Sequence, residues 1–151
     1  MDYLFLSIII SSLGTISMMI IYIYLYALYR ERFMGLWSLS WLILLSRYLF
    51  FDANFQDWQQ SNWCLLTYEL FIYLNSLTFL LANHSFINKP LNKGWLYIAI
   101  TTFTLNVVLN TILSSFIYKL LLPLFFGCSA LIWVGLLFIR HLKLKGIGRF
   151  I

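Results

Sequence analysis

Five long apolar stretches, separated by short polar connections, run through the whole of this 151-residue chain. They cover approximately residues 3–29, 33–51, 62–82, 94–113 and 116–139. Each is close to or above the roughly 20 apolar residues that an α-helix needs to cross a ~30 Å hydrocarbon core. Backbone groups in lipid must be hydrogen-bonded within the spanning segment, so helices are expected throughout. The pattern predicts an all-α fold: a polytopic membrane helix bundle with five transmembrane helices, forming one domain over residues 1–151.

Basic residues are distributed unevenly over the connections, and this distribution predicts an orientation. The connection after the second stretch carries Asp52 and Asp57 but no Lys or Arg. The connections after the first and third stretches and the C-terminal tail are basic, with Arg30, Arg32, Lys89, Lys93, Arg140, Lys143, Lys145 and Arg149. Because cytoplasmic connections accumulate Lys and Arg, the alternation places the N-terminus outside and the C-terminus in the cytoplasm. Lys119 is the exception on the outer side, where its long side chain can reach the lipid headgroups.

The composition agrees with a chain whose solvent is lipid. Hydrophobic residues make up 62% of the chain, charged residues only 10%, and the mean hydropathy is +0.87, whereas a soluble domain is about a quarter charged. The net charge of +5 is explained by topology, so no nucleic-acid partner is predicted. Cys64 and Cys128 stand alone in apolar stretches and are expected to be small buried core residues. No metal or cofactor is predicted; haem fits poorly because His84 and His141 lie at the expected cytoplasmic surface.

Two charged residues, Arg47 and Glu69, lie inside apolar stretches. In the predicted topology Arg47 is roughly 7 Å and Glu69 roughly 10 Å below the outer surface, at 1.5 Å per residue. They lie on consecutive helices joined by a short outer connection. Because each charge would remove the other's penalty in lipid, an ion pair between them is expected. The alternative is that Arg47 reaches the outer phosphates while Glu69 is protonated or faces water.

Polar residues recur on one face of the fourth helix. Thr102, Asn106, Asn110 and Ser114 follow one another at intervals of four residues. The third helix offers Glu69, Tyr73 and Ser76 on one face, with Asn75 adjacent. One interpretation is an outer-half polar cavity that binds or senses a ligand; the other is interhelical hydrogen bonding that only fixes packing, worth ~0.6 kcal/mol per contact. The candidate sensing residues are Arg47, Glu69, Tyr73, Asn75, Thr102, Asn106 and Asn110.

Several turns and aromatic segments resemble a known pattern. They are LYRERF (28–33), LWSLSWLILLSRYLF (36–50), LANHSFINKPL (81–91), LLPLFFGCSALIWVGLLFIRH (121–141) and LKLKGIGRF (142–150). Together they are similar to the N-terminal multi-helix membrane input region of bacterial sensor histidine kinases and diguanylate cyclases, especially from Firmicutes. The resemblance covers nearly the whole chain and contains no catalytic motif.

That resemblance implies a signal-input domain in the bacterial cytoplasmic membrane, acting as a homodimer within the lipid bilayer on an unidentified small or lipid-soluble ligand. Members of this group continue with further helices and then PAS, kinase or GGDEF cyclase domains, so the chain is expected to be incomplete at its C-terminus. These residues themselves are not expected to form an enzyme. Two other classes stay open: a small transporter subunit whose fourth helix lines a substrate path, and an accessory or structural membrane protein whose polar groups only set assembly.

Overall fold

The computed structural model describes residues 3–51, 62–112 and 116–145, and in this part of the chain all regular structure is α-helical. The five helices are α1 (Tyr3–Tyr29), α2 (Arg32–Phe50), α3 (Asn62–Phe86), α4 (Lys93–Ile112) and α5 (Phe116–Lys145). All five are long and apolar enough to cross a membrane. The architecture is therefore that of a multi-pass membrane protein.

Two of the five helices end beyond the apolar stretches that predicted them. α3 continues four residues past 82 to Phe86, and α5 continues six residues past 139 to Lys145. Hydropathy marks only the part of a helix suited to lipid, whereas the hydrogen-bonded backbone continues until a residue breaks it. The bounds of α2 and α4 are each shifted by a single residue from the expected ones.

Two short turns reverse the chain, and each begins with a residue in the left-handed conformation. Arg30 (φ 57°) follows α1, and its N–H donates to the Tyr26 carbonyl at 2.8 Å. Asn88 (φ 54°) follows α3; its N–H donates to Ser85 and the N–H of Lys89 donates to His84, the two bonds of a Schellman motif. Asparagine tolerates this conformation better than most residues. Both turns make their flanking helices antiparallel.

α3 is the central helix of the bundle. α2 packs on it from one side and α4 and α5 from another, while α1 packs mainly on α2. Ring contacts join Tyr73 to Phe126 and Phe86 to Phe138, with centroids 5.0 and 5.8 Å apart, so α3 and α5 run in the same direction. Five basic residues thus lie at one end of the bundle, which we call the basic end: Arg30, Arg32, Lys89, Lys93 and Arg140. At the opposite, far end, Phe51 packs against Tyr68 and Phe71.

Two clusters of buried apolar side chains lie between α3, α4 and α5. One cluster joins Tyr73, Ala99 and Phe126, and a second joins Leu80, Ala130 and Val134. Large apolar side chains on the outward faces of all five helices are exposed, as expected of surfaces in contact with lipid chains. The interior of the bundle is therefore centred on α3.

Candidate functional site

Four polar residues are buried together between α3 and α4 near the far end. Glu69 and Asn106 are 0% exposed, Tyr73 is 3% exposed and Asn110 is 5% exposed. Each helix contributes two residues spaced four apart, so both of its side chains lie on one face. Because the helices are antiparallel, Asn110 meets Glu69, and its Nδ2 donates to Glu69 Oε2 at 2.8 Å. We call these four residues the polar cluster.

The polar cluster has more hydrogen-bonding atoms than hydrogen bonds. Within the described part of the chain, Glu69 Oε1, Tyr73 Oη, Asn110 Oδ1 and both polar atoms of Asn106 lack a hydrogen-bond partner. Asn106 is close enough to affect the Glu69 carboxyl electrostatically, but the two do not reach hydrogen-bond geometry. Buried polar atoms are nearly always paired in proteins. Five such atoms in one place give the cluster the capacity to bind water or another polar molecule.

The remaining residues of the predicted polar stripe on α4 contribute less. Thr102 is half-buried beside Tyr73, but its hydroxyl donates to the Ile98 carbonyl of its own helix at 2.7 Å. Ser114 lies outside the described residues, as do Asp52 and Asp57 of the predicted outer connection. The cluster that the structure brings together is thus centred on Glu69 and the two asparagines.

Arg47 lies at the same end of the bundle, on the other side of α3. Its guanidinium carbon is 5.0 Å from the ring centre of Tyr48 and 5.5 Å from that of Tyr68. The partners of Glu69 are on α4, and Lys119 of α5 also acts on its carboxyl through charge. Arg47 therefore contacts the residue that precedes Glu69 in sequence, and the Arg47–Glu69 ion pair stays a prediction.

Asn75 is separated from the polar cluster and faces α2. Its Oδ1 accepts a hydrogen bond from Ser40 Oγ at 2.7 Å, which ties α3 to α2 within the apolar layer. The predicted set of sensing residues therefore divides into two groups on different sides of α3. Asn75 belongs to the second group, which borders a cleft.

The cleft lies between α2 and α5 and has α3 as its floor. Its volume is about 570 Å³ and its walls are mainly apolar, within the ~300–1,000 Å³ typical of small-molecule sites. α2 and α5 both pack on α3 but make little contact with each other. Polar side chains are few: Ser40 lies on the α2 wall, and Asn75, Ser76 and Asn83 lie on the floor. Trp37 Nε1 is buried without a partner among the described residues.

Sequence reasoning did not find this cleft. Trp37 on α2 packs with its ring stacked on that of Phe86, the ring centres lying 6.1 Å apart, and both Trp37 and Trp41 border the cleft. The one available signal was the run of small residues GCSA (127–130) on α5, which leaves that wall thin. Small residues alone do not show which neighbouring helix fails to fill the space.

The cysteines differ from the expectation that both are buried. Cys64 is half-buried, but Cys128 is exposed and borders the cleft, so the expectation is wrong for Cys128. It was placed in the core because its sequence neighbours are apolar, and in a membrane protein apolar residues also face lipid. Both cysteines are free thiols. Among the described residues, no group of three His, Cys, Asp or Glu side chains converges as a metal site would require.

Comparison of the chain with protein-family models, with curated proteins and with solved structures gave no match. Function is therefore inferred from the polar cluster and the cleft.

Proposed function

We propose that this chain is the membrane-embedded signal-input region of a bacterial signal-transduction protein. It lies in the cytoplasmic membrane with its N-terminus outside, and it acts as a homodimer, as its resemblance to sensor kinases and cyclases implies. A stimulus in the bilayer changes how α2 and α5 pack on α3. α5 passes this change to a cytoplasmic histidine-kinase or diguanylate-cyclase output.

The cleft is the observation that carries this proposal. It separates α2 from α5, which both pack on α3 but make little contact with each other. The width of the cleft can therefore change without breaking the contacts of either helix with α3. Its apolar walls suit a lipid-soluble molecule, and Trp37 Nε1 offers one such molecule a buried donor. A ligand shifts the packing only if it binds one cleft width better than another. A molecule that bridges α2 and α5 meets this condition.

The polar cluster has a supporting role on the other side of α3. The hydrogen bond from Asn110 to Glu69 joins α3 to α4, while the α1–α2 pair is held to α3 by Ser40 and Asn75. Polar groups this deep in an apolar bundle are expensive and commonly functional. The polar cluster therefore helps to hold α4 on α3.

Pulsed electron–electron double resonance can measure the width of the cleft as a distance between two spin labels. Spin labels on Leu42→Cys and Ile132→Cys, in a Cys64→Ser/Cys128→Ser background, report the α2–α5 distance from exposed positions that do not border the cleft. In nanodiscs of native lipid extract and of pure phosphatidylcholine, we expect two distance populations whose ratio differs between the lipids. A single distance that is the same in both lipids would count against the proposal.

Two glycines on α5 supply a matched pair of variants. Gly127 borders the cleft, and a Cβ added there would lie 3.4 Å from Ser76 Oγ on the cleft floor, whereas a Cβ at Gly135 would meet nothing within 4 Å. Gly127→Phe is expected to fill the cleft and leave one distance population, while Gly135→Phe keeps both. The output is tested separately: a kinase or cyclase domain encoded after codon 151 agrees with the proposal, and a stop codon followed by a stable short product contradicts it.

The unmet hydrogen bonds of the polar cluster favour one other candidate, a small transporter subunit in which α4 lines a path for a polar substrate. That function predicts substrate flux in proteoliposomes that Asn106→Leu abolishes. Thr104→Val is the matched control, because Thr104 lies on the exposed side of α4 and bonds only to its own helix. An accessory protein predicts neither flux nor a lipid-dependent cleft.

A further inference from the structure

A cavity of about 370 Å³ lies at the basic end of the bundle, between the α3–α4 turn and the last turns of α5. Four basic residues border it: His84 and Lys89 on one wall, and Arg140 and His141 on the other. No acidic residue is among the described residues that line it. We call it the basic cavity. It lies about half the length of α3 away from the polar cluster and is separate from the cleft.

His84 gives the basic cavity a buried hydrogen-bond donor. The side chain is only 6% exposed, and its Nε2 accepts a hydrogen bond from Trp133 Nε1 at 3.3 Å. A neutral imidazole that accepts at Nε2 must carry its proton on Nδ1. The Pro90 backbone lies close to the imidazole, but no group among the described residues reaches hydrogen-bond geometry with Nδ1.

The backbone places a cation beside this donor. The Schellman bond from the N–H of Lys89 to the His84 carbonyl fixes Lys89 directly after the end of α3. Arg140 lines the cavity from α5, and both residues are exposed, so their long side chains can close over a bound group. The other wall residues include Leu136 and Leu137, which present an apolar surface beside the charges. The cavity thus combines donors and cations with an apolar edge.

We propose that the basic cavity binds a phosphate group, supplied by an anionic lipid headgroup or by free phosphate. Phosphate oxygens accept hydrogen bonds from all three kinds of donor present: imidazole N–H, ammonium and guanidinium. Basic pockets between transmembrane helices are a recurrent form of headgroup site. A phosphate held by Lys89 and Arg140 joins the α3–α4 turn to α5 at the point where α5 leaves the bundle. This site does not depend on the proposed signalling role of the cleft.

The test measures thermal unfolding of the purified chain in nanodiscs. One arm compares phosphatidylcholine with mixtures of increasing phosphatidylglycerol content; the other titrates sodium phosphate against sodium chloride of equal ionic strength in phosphatidylcholine alone. The cavity variant is Lys89→Gln/Arg140→Gln. The control, Arg30→Gln/Lys93→Gln, removes the same charge from the same end at residues that do not border the cavity.

We expect phosphatidylglycerol or phosphate to raise the unfolding temperature of the wild type and of the control. In the cavity variant the apparent affinity falls about thirtyfold, at roughly 1 kcal/mol per cation. Stabilisation by phosphatidylglycerol alone identifies a headgroup, and stabilisation by inorganic phosphate identifies a soluble ligand; either supports the site. If the apparent affinity falls equally in the two variants, phosphate groups are attracted by the charge of the whole basic end and not by the cavity, which overturns the proposal. The absence of stabilisation in both arms also overturns it.

Discussion

Two asparagines one turn apart on α4, Asn106 and Asn110, differ in their hydrogen bonding. We therefore predict different effects on stability when each is replaced by leucine. Asn110 donates to Glu69, whereas both polar atoms of Asn106 are buried without a partner among the described residues. Asn110→Leu leaves a buried carboxyl oxygen unpaired and should destabilise the protein by about 1–3 kcal/mol. Asn106→Leu removes unpaired polar atoms at nearly constant volume, so it should leave stability unchanged or raise it.

The measurement is the free energy of unfolding of each variant in the same detergent or nanodisc. Glu69→Leu added to Asn110→Leu should cost less than the sum of the single changes, because the two residues share one hydrogen bond. Equal destabilisation by the two asparagine substitutions would show that Asn106 has a structural partner. A stabilised Asn106→Leu protein that loses its response or its flux would show that Asn106 is retained for function at the expense of stability.

Individual residues also show how far the sequence predicts this site. The four-residue spacing of Asn106 and Asn110 correctly placed both on the buried face of α4, because helical periodicity fixes which residues share a face. Asn75 was grouped with Glu69, but six residues at 3.6 per turn place them about 120° apart around α3. His84 was expected at the surface from its position near a basic turn. Its burial depends on contact with Trp133 of α5, which no local pattern encodes.

The end of α3 depends on Asn88, whose φ of 54° lies in the left-handed region. Asn88→Ala should destabilise the protein by ~1 kcal/mol, because alanine lacks the short polar side chain that lets asparagine tolerate this conformation. Asn88→Gly should be neutral or stabilising, because glycine has no Cβ. Thermal unfolding of the two variants tests the pair. If alanine and glycine have the same effect, the left-handed turn is not maintained. Because the turn also positions Lys89, only Asn88→Ala should weaken phosphate binding.

The contact between α1 and α2 depends on a close approach at Gly35. A Cβ placed there would lie 3.2 Å from Cε2 of the Tyr26 ring, which is tighter than ordinary packing. Gly35→Leu should therefore displace α1 and destabilise the protein by about 1–3 kcal/mol. Gly14→Leu is the matched control, because a Cβ at Gly14 meets nothing within 4 Å. Equal unfolding free energies for the two variants would show that α1 does not pack closely at this position.

At the scale of elements, the number and approximate bounds of the helices follow from hydropathy, since lipid requires long apolar segments with internal hydrogen bonds. The packing between them does not follow in the same way. α2 and α5 are both apolar helices, yet both pack on α3 and leave a cleft between them. In lipid an apolar face gains little from contact with another helix. Hydrophobicity therefore does not predict which pairs of helices touch.

The whole molecule has an asymmetric charge distribution that predicts its orientation. The five residues of the basic end lie together although they come from three separate parts of the chain, whereas the described helices carry Arg47 and Lys119 toward the far end. Because Lys and Arg are retained on the cytoplasmic side, the basic end should face the cytoplasm. In a Cys64→Ser/Cys128→Ser background, Trp63→Cys reports the far end and Lys93→Cys the basic end.

Both reporter positions are exposed, so differences in labelling will reflect the side of the membrane. In intact cells a membrane-impermeant maleimide should label the Trp63→Cys protein and should reach the Lys93→Cys protein only after lysis. The reverse pattern would place the basic cavity outside the cell, where it could not respond to cytoplasmic phosphate or inner-leaflet headgroups. It would also separate the last turns of α5 from any cytoplasmic output. This single labelling experiment therefore tests the premise that the signalling proposal and the inner-leaflet source of phosphate share.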